Sequence, residues 1–574
     1  MCLAICQRLT LQVRTGVQLI ALILLVSTTL FFLDNRYRVL PQSVHSHMPL
    51  HHDGLVITDI TVQTCSTVNP LSKCMLDQKK WHRIEKDLYL GKGWFTKAYV
   101  HIKRKREEEL KTEDKVIFDV RTGRLDPSIA EKTQASEKWE SRPAGIWIKT
   151  SLKRHASDSK KAVTAVDILF GSDAAEPRPG WELVKGALHL DSSSKDSTDP
   201  RLSLRRGRAA KIEKPIPKIR KDGKFKIMQI SDLHLSTGLG HCRDAEPKGA
   251  NGGHCDADPR TLEFVERVLD DEKPDFVVLS GDQVNGDTAP DAQSVWTTQP
   301  WCAFYKLTIS QALFKIADPL AERKIPYAAI FGNHDDEGTL SRHAQMDLYD
   351  SLPFSVSEPG PNTIEGVGNY FVEIQAHSSK HSALTLYFLD THSYSPDETH
   401  YRGYDWLKPN QINWFKTTAE GLKEAHSHYT HKHLNMAFIH IPLPEYGNPN
   451  NDRVGNWTEP ITAPAFNTHF KDALVEYDVK TVSCGHDHVN DYCSLSKDEQ
   501  TGEPELWMCY AGGSGFGGYG GYNHYHRRLR VFEIDTNQAR IVTWKRLEYG
   551  DVGKRLDQQI IVDSGRVLPI QSQE

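Results

Sequence analysis

Five short groups of polar residues in the second half of the chain carry side chains that can bind metals. They are Asp232-Leu233-His234, Gly281-Asp282, Gly332-Asn333-His334-Asp335, His440 and Gly485-His486-Asp487-His488. Together they offer carboxylate, carboxamide and imidazole groups without a thiolate, a nitrogen and oxygen donor set that suits Mn, Zn or Fe. Each group alone could be a helix cap or a surface histidine, so the prediction of a metal site depends on all five lying together.

Each of the five groups directly follows a predicted β-strand. Short apolar runs at 225–230, 276–279, 327–331, 436–439 and 479–482 alternate with segments whose apolar residues recur at spacings of three and four. This alternation predicts an α/β domain over residues 224–550. Because the carboxyl ends of strands in such a sheet converge on one crevice, we expect the five groups to form one site.

The order D-x-H, G-D, G-N-H-D, H and G-H-x-H resembles the calcineurin-like metallophosphoesterase superfamily. The resemblance implies a four-layer αββα sandwich that holds a pair of metal ions bridged by Asp282. It assigns one ion to Asp232, His234, Asp282 and His488, and the other to Asp282, Asn333, His440 and His486. His334 matches the family's histidine that hydrogen-bonds phosphate and assists the leaving group, with Asp335 as its expected partner.

The activity implied by this resemblance is hydrolysis of a phosphoric monoester. Two ions of Fe, Mn or Zn, ~3.5–4 Å apart, can supply a metal-bound hydroxide near neutral pH and neutralise charge during in-line attack on phosphate. Asn285 stands where purple acid phosphatases carry a metal-bound tyrosine. The residues around His440 and His486 resemble the fungal dosage-dependent cell-cycle regulator phosphatases and the related plant group that lacks this tyrosine. This narrower resemblance implies a Ser/Thr phosphoprotein as substrate.

Two other functions remain open from the sequence. A phosphodiesterase or nucleotide hydrolase would use the same ligands, since leaving-group specificity lies in loops outside the motifs. A non-catalytic membrane docking protein is the other interpretation, although such a remnant should have lost ligands and every ligand position of the family is filled. With 70 Lys and Arg against 75 Asp and Glu, the net charge of −5 gives no indication of a nucleic-acid partner.

The amino-terminal residues predict a membrane anchor. Residues 15–33 carry no charge, and a helix of that length nearly crosses the ~30 Å hydrocarbon layer. We therefore expect a short tail over 1–14, then a transmembrane helix, in a single-pass protein of the ER or vacuole whose catalytic domain is lumenal. A cytoplasmic catalytic domain is the alternative. In a lumen, the eight cysteines after Cys6 could pair as disulfides, whereas in the cytosol they would be reduced thiols.

Residues 55–190 predict a β-rich accessory domain. Alternating apolar runs occur at 56–62, 115–120 and 145–148. A degenerate repeat is also visible, because the strand that contains Asp59 is followed by Trp81 and the similar strand that contains Asp167 is followed by Trp181. These features resemble the β-prism modules of some membrane-trafficking proteins, which implies a protein or lipid partner. A purely structural domain is the other interpretation. We expect a basic, flexible linker over 191–223 and a carboxyl-terminal tail over 551–574.

Overall fold

The structure is a computed structural model of the 574-residue chain. It describes residues 16–30, 54–66, 68–69, 74–90, 95–110, 114–125, 137–151, 161–190, 198–285, 309–338, 340–520 and 524–570.

Residues 16–30 are helical. A helix needs about 20 apolar residues to cross a hydrocarbon layer of ~30 Å. Within the described ranges, no helix has the length and apolar character that a membrane crossing requires. The predicted transmembrane helix over 15–33 is therefore wrong, and so is the single-pass endomembrane location that depended on it. Residues 1–15 and 31–33 lie outside the described residues.

The first half of the chain contains three small antiparallel sheets around one core. Their strands are β1 (Leu55–Ser66), β2 (His82–Arg83), β3 (Thr96–Arg106), β4 (Val116–Thr122), β5 (Glu137–Arg142), β6 (Ile146–Ser151), β7 (Val163–Leu169), β8 (Trp181–Leu183) and β9 (Arg201–Arg206). The strand orders are β1-β3-β2, β4-β6-β5 and β7-β9-β8. Ile60, Ile148 and Ile168, one from each sheet, are buried in the shared core. Strand β9 lies inside the stretch expected to be a linker, because its backbone pairs along β7.

A ring of ion pairs joins the three small sheets to one another. Each sheet has an aspartate whose carboxylate accepts the N–H of the following residue, and two of these, Asp59 and Asp119, stand at a β-bulge. Each aspartate also binds a basic side chain from another sheet's segment: Arg142 to Asp59 at 2.8 Å, Arg206 to Asp119 at 3.2 Å and Lys86 to Asp167 at 2.7 Å. The ring is closed, since each sheet gives one partner and receives one.

The second half of the chain forms two seven-stranded sheets. Their strands are β10 (Lys224–Ile230), β11 (Phe276–Ser280), β12 (Tyr327–Ile330), β13 (Tyr370–Gln375), β14 (Ser382–Phe388), β15 (Leu434–Phe438), β16 (Asp452–Val454), β17 (Val479–Cys484), β18 (Cys493–Lys497), β19 (Pro504–Tyr510), β20 (Arg528–Asp535), β21 (Arg540–Leu547), β22 (Leu556–Asp563) and β23 (Arg566–Val567). One sheet has the order β12-β11-β10-β20-β21-β22-β23, and the other β13-β14-β15-β17-β19-β18-β16. The first sheet thus extends past residue 550, where a tail was expected.

Helices cover the outer faces of the paired sheets. They are α1 (Ala257–Glu272), α2 (Ile309–Glu322), α3 (Arg342–Asp350), α4 (Pro409–Ser427) and α5 (Phe470–Glu476). Between the sheets, Phe438 of β15 meets Phe532 of β20 with ring centroids 6.3 Å apart. On the opposite face of the second sheet, Tyr387 of β14 packs edge-on against Phe415 of α4 at 5.0 Å. The layers therefore run helix, sheet, sheet and helix.

All five strands predicted ahead of the polar groups are present. They do not belong to one sheet, however. Strands β10, β11 and β12 are parallel neighbours in the first sheet, while β15 and β17 are parallel neighbours in the second. The carboxyl ends of both sets meet at the same edge of the sandwich, so the site is built across the two sheets.

A buried lysine connects the small sheets to the second half of the chain. The ammonium of Lys315, on α2, lies 2.5 Å from Asp173, which follows β7, and 2.7 Å from Asp258 of α1. It also donates to the carbonyls of Ser236 and Gly238, which follow the motif of Asp232 and His234. The Lys315 side chain has no solvent exposure. This lysine therefore neutralises two acidic groups from different parts of the fold.

Replacing Lys315 by methionine is expected to lower the free energy of unfolding by about 3–5 kcal/mol. The reason is that Asp258, which is 1% exposed, would remain buried without a cation. Urea unfolding of the full chain measures the loss. Lys416→Met is the matched control, because Lys416 pairs with Glu476 at the surface and its removal should change stability little. Equal stability of the two variants would contradict the argument.

Three disulfides are present in the described part of the chain. They join Cys65 to Cys74, Cys242 to Cys255 and Cys493 to Cys509. Cys484 is a free, buried thiol, and burial raises its pKa well above the ordinary value. Cys302 lies outside the described residues.

Candidate metal centre

Two groups of buried side chains lie where the five strands end. The first group consists of Asp232, His234, Asp282 and His488, and the second of Asp282, His440 and His486. Within each group the potential ligand atoms all lie within 4.8 Å of one another. Asp282 belongs to both groups. The structure thus brings six of the seven predicted metal ligands into two adjoining clusters with one shared carboxylate.

The potential ligand atoms of the first group face one another at short distances. The Nε2 atoms of His234 and His488 are 3.1 Å apart, and His234 Nε2 lies 3.6 Å from an oxygen of Asp282. His488 Nε2 is 3.5 Å from an oxygen of Asp232. Two imidazole nitrogens and two carboxylates that face one another in a buried site fit a bound cation, which would compensate the charge of the acids.

The second group has the same character. His440 Nε2 lies 3.3 Å from an oxygen of Asp282 and 3.2 Å from Oδ1 of Asn333, the seventh predicted ligand. Among the described residues, no hydrogen-bond partner is found for the buried Nε2 of His486. A buried lone pair without a partner is costly, and a metal ion would satisfy it. The donor set therefore fits a second cation.

Backbone carbonyls orient two of the imidazoles. Nδ1 of His440 lies 2.9 Å from the carbonyl of Ser280, and Nδ1 of His488 lies 2.8 Å from the carbonyl of Tyr519. An Nδ1–H that donates to a carbonyl leaves the Nε2 lone pair directed toward the centre. These orienting contacts come from backbone atoms, which residue types alone do not reveal.

Four of the clustered residues have a left-handed backbone. The φ angles of Asp232, His234, Asp282 and His486 are 56°, 47°, 52° and 78°. This conformation costs roughly 1–2 kcal/mol for a residue other than glycine. Such strain is concentrated at functional sites, where the surrounding structure holds the side chains in place.

Burial is the largest influence on the charges of the site. It lowers the pKa of His234 to about 3 and those of His486 and His488 well below the ordinary value, so these imidazoles are neutral. It raises the pKa of Asp232 to about 7, helped by the charge of Asp282. Burial also opposes ionisation of Asp282, but the charge and hydrogen bond of His440 outweigh it and hold the pKa of Asp282 well below its usual range, and Asp282 in turn raises the pKa of His440 to about 9. Metals bind neutral imidazoles and ionised carboxylates, so the shared carboxylate is in the form that a metal needs, and a cation here would take the place of the proton on His440.

His334 lies at the edge of the centre and is partly open to solvent. Its ring is 5.4 Å from that of His234, and its side chain is 34% exposed. Its Nδ1 lies 2.8 Å from a carboxylate oxygen of Glu337. Burial opposes protonation of His334, but the charges of Asp282 and Glu337 outweigh it and raise the pKa of the imidazole. A protonated imidazole at this position can donate a proton to a leaving group.

The ionic partner of His334 is thus Glu337 and not Asp335, which was expected from the sequence. Asp335 is fully buried, and its two oxygens accept the backbone N–H groups of Asp282, Val284 and Gly332 at 2.7–3.0 Å. It joins the loop after β11 to the loop after β12. Asp335 therefore positions the ligand loops without touching the imidazole.

A glycine-rich segment between β19 and β20 packs directly against the proposed metal ligands. A Cβ atom added at Gly518 would lie 2.4 Å from Cε1 of His488 and 2.6 Å from Cδ2 of His234. At Gly515 it would lie 1.8 Å from the carbonyl oxygen of Leu233. The segment forms one wall of the centre, and glycine is required because the backbone approaches so closely.

Gly518→Ala is expected to weaken metal binding by about 10–100-fold, because the methyl group would displace the two imidazoles. Titration of the metal-free protein with Mn²⁺ or Zn²⁺ measures the change. Gly421→Ala, on helix α4, is the control, since an added Cβ there meets no atom within 4 Å. Unchanged affinity of the Gly518 variant would show that the wall does not hold the ligands.

Comparison with known proteins places the chain among enzymes. The family described as calcineurin-like phosphoesterase matches residues 225–490. Phosphatase DCR2 of Saccharomyces cerevisiae is 37% identical over 418 residues, covering 70% of this chain and 67% of that protein. An uncharacterized protein of Schizosaccharomyces pombe is 31% identical, covering 87% of this chain and 88% of its own length. The protein called probable inactive purple acid phosphatase 29 of Arabidopsis thaliana is 35% identical, covering 60% and 85%.

The chain belongs to the calcineurin-like phosphoesterase family. It is accordingly a hydrolase that acts on phosphoric esters and has a metal site.

Proposed function

We propose that the protein is a phosphomonoesterase that uses two metal ions. The observation that carries this proposal is the sharing of Asp282 by two buried ligand groups. A single carboxylate within reach of both groups is what brings two cations together. In this arrangement Asp232, His234, Asp282 and His488 would hold one ion, and Asp282, Asn333, His440 and His486 the other. Oxygen and imidazole donors suit Fe, Mn or Zn.

When bound, the two metal ions would supply an activated water and neutralise the charge of the phosphate. The protein's own residues do the remaining work. The glycine-rich wall and the left-handed turns fix the imidazoles, so that the phosphate meets ligands already in place. His334 protonates the leaving oxygen, and Glu337 holds its Nδ1–H so that Nε2 points into the site. The proton matters because an alkoxide is a poor leaving group.

The proposed substrates are proteins phosphorylated on serine or threonine. Two points support this assignment. One is the resemblance of the motifs to the fungal cell-cycle regulator phosphatases, and the other is the 37% identity to a protein that is named a phosphatase. The word inactive belongs to the name of the plant relative. In this chain all seven proposed ligands are present and buried.

The test is metal analysis of the purified full chain together with hydrolysis of a phosphomonoester and a phosphodiester. We expect about two metals per chain and cleavage of the monoester. Faster cleavage of the diester would favour the phosphodiesterase alternative. A chain that binds no metal and hydrolyses neither ester after loading with Mn, Zn or Fe would contradict the proposal.

A further inference from the structure

Two tyrosines are held side by side on a ribbon next to the metal centre. The backbones of Tyr394 and Tyr404 form an antiparallel bridge. On either side of it, the N–H of Ser395 donates to the carbonyl of Gly403 at 2.8 Å, and the N–H of Asp405 donates to the carbonyl of Ser393 at 3.0 Å. These bonds fix the spacing of the two side chains.

The two rings lie one after the other between the proposed metal centre and the solvent. The Tyr404 ring packs edge-on against His486, with centroids 4.3 Å apart. Tyr394 stacks on Tyr404 at 5.5 Å, with the planes inclined by 21°. Tyr394 is 51% exposed. A large aromatic side chain is therefore presented at the surface, two ring-to-ring contacts away from a proposed metal ligand.

The ribbon is anchored to the loop that carries His334. The hydroxyl of Ser393 donates to the carbonyl of Asn333 at 3.3 Å. The guanidinium of Arg342 donates both to the carbonyl of His392 at 3.0 Å and to the carbonyl of Gly332 at 2.8 Å. Binding to such a surface orders little additional protein, and tyrosine supplies a large contact area with few rotatable bonds.

We propose that Tyr394 and Tyr404 form a subsite for an apolar side chain within three residues of the phosphorylated residue of a protein substrate. This inference rests on the proposed phosphoprotein phosphatase activity. The ring-to-ring distances of 4.3 and 5.5 Å place the Tyr394 ring at most about 10 Å from the His486 ring. An extended peptide advances ~3.3–3.6 Å per residue, so it covers this distance in about three residues.

The ring faces of Tyr394 and Tyr404 select among the possible neighbours. Tyrosine ring faces favour aromatic or aliphatic side chains, which are removed from water when they pack on the rings. A phenylalanine, leucine or similar residue is thus the occupant that fits.

Phosphoserine peptides that differ at one position test the subsite. Sets with Phe, Ser or Arg at one of the three positions before or after the phosphoserine are hydrolysed by the metal-loaded full chain, and kcat/KM is measured from phosphate release. We expect one Phe peptide to exceed its Ser counterpart by about 3–10-fold. Tyr394→Ser should reduce that ratio to less than about 2-fold, while Tyr394→Phe should retain it, since the hydroxyl is not needed for stacking.

Tyr549→Ser is the matched control, because Tyr549 is comparably exposed, at 47%, on another part of the surface. It should retain the preference for Phe. The subsite alone is overturned by equal kcat/KM for all peptides, by a preference that survives Tyr394→Ser, or by preference for Arg. Hydrolysis of a small phosphomonoester without hydrolysis of any phosphopeptide would overturn both the phosphoprotein assignment and the subsite.

Discussion

Asp282→Asn is expected to abolish metal binding and hydrolysis together. The Asp282 carboxylate is 1% exposed and lies within ligand distance of both groups of side chains. An asparagine keeps the size of the side chain but removes the charge that would bridge two cations. Elemental analysis should show metal content falling toward zero, and activity on a phosphomonoester should fall to the rate without enzyme.

Asp487→Asn provides the comparison for this variant. Asp487 lies between two proposed ligands in sequence, yet its oxygens accept from the Thr462 and Tyr510 hydroxyls. The variant should therefore retain about two metals. Retention of both metals and full activity by Asp282→Asn would refute the bridging role, whereas metal loss in both variants would indicate a general disturbance of the loops.

His334→Ala should keep the metals but hydrolyse slowly. The imidazole belongs to neither ligand group, so the cations remain bound. Loss of a proton donor lowers kcat by about 10²–10⁴-fold for an alkyl phosphate, whose leaving group needs the proton. For 4-nitrophenyl phosphate the loss should be much smaller, because nitrophenolate leaves readily without protonation. The two losses are compared at equal metal content.

Glu337→Gln should show the same dependence on the leaving group, with a smaller loss. The amide still accepts a hydrogen bond from His334 Nδ1 but no longer favours the charged imidazolium. Glu398→Gln, at an exposed position on the ribbon's loop, should behave like the unaltered protein. Equal losses on both esters would mean that His334 and Glu337 act on binding and not on proton transfer.

The metal ligands could be found from the sequence because each follows a short apolar strand. The local pattern did not show how the five strands are divided between the two sheets of the sandwich, since nothing in it tells which strands pair. The partner of His334 was missed for a similar reason. Asp335 is adjacent in sequence, but the turn directs it back to backbone N–H groups, and Glu337, three residues after His334, reaches the imidazole.

In the amino-terminal half, too, the local sequence pattern showed only part of the structure. The repeat was evident in the strands of Asp59 and Asp167, each followed by a tryptophan and two spaced leucines. The middle unit has Asp119 and Trp139 at comparable places in its sheet, but Trp139 is not followed by those leucines. The ion pair between Asp119 and Arg206 became apparent only from the packing of the sheets.

The closed ring of ion pairs bears on how such a module could originate by duplication. Every sheet supplies a cation to one neighbour and receives one from the other, so removing one unit would leave one aspartate with only the basic residue of its own sheet's segment. In the observed arrangement, all inter-sheet pairs form only when three copies are present. A genetic event that exchanged one unit for another would therefore have to preserve the aspartate and the basic residue that form its two inter-sheet ion pairs. These two residues are the minimum that a replacement unit must carry.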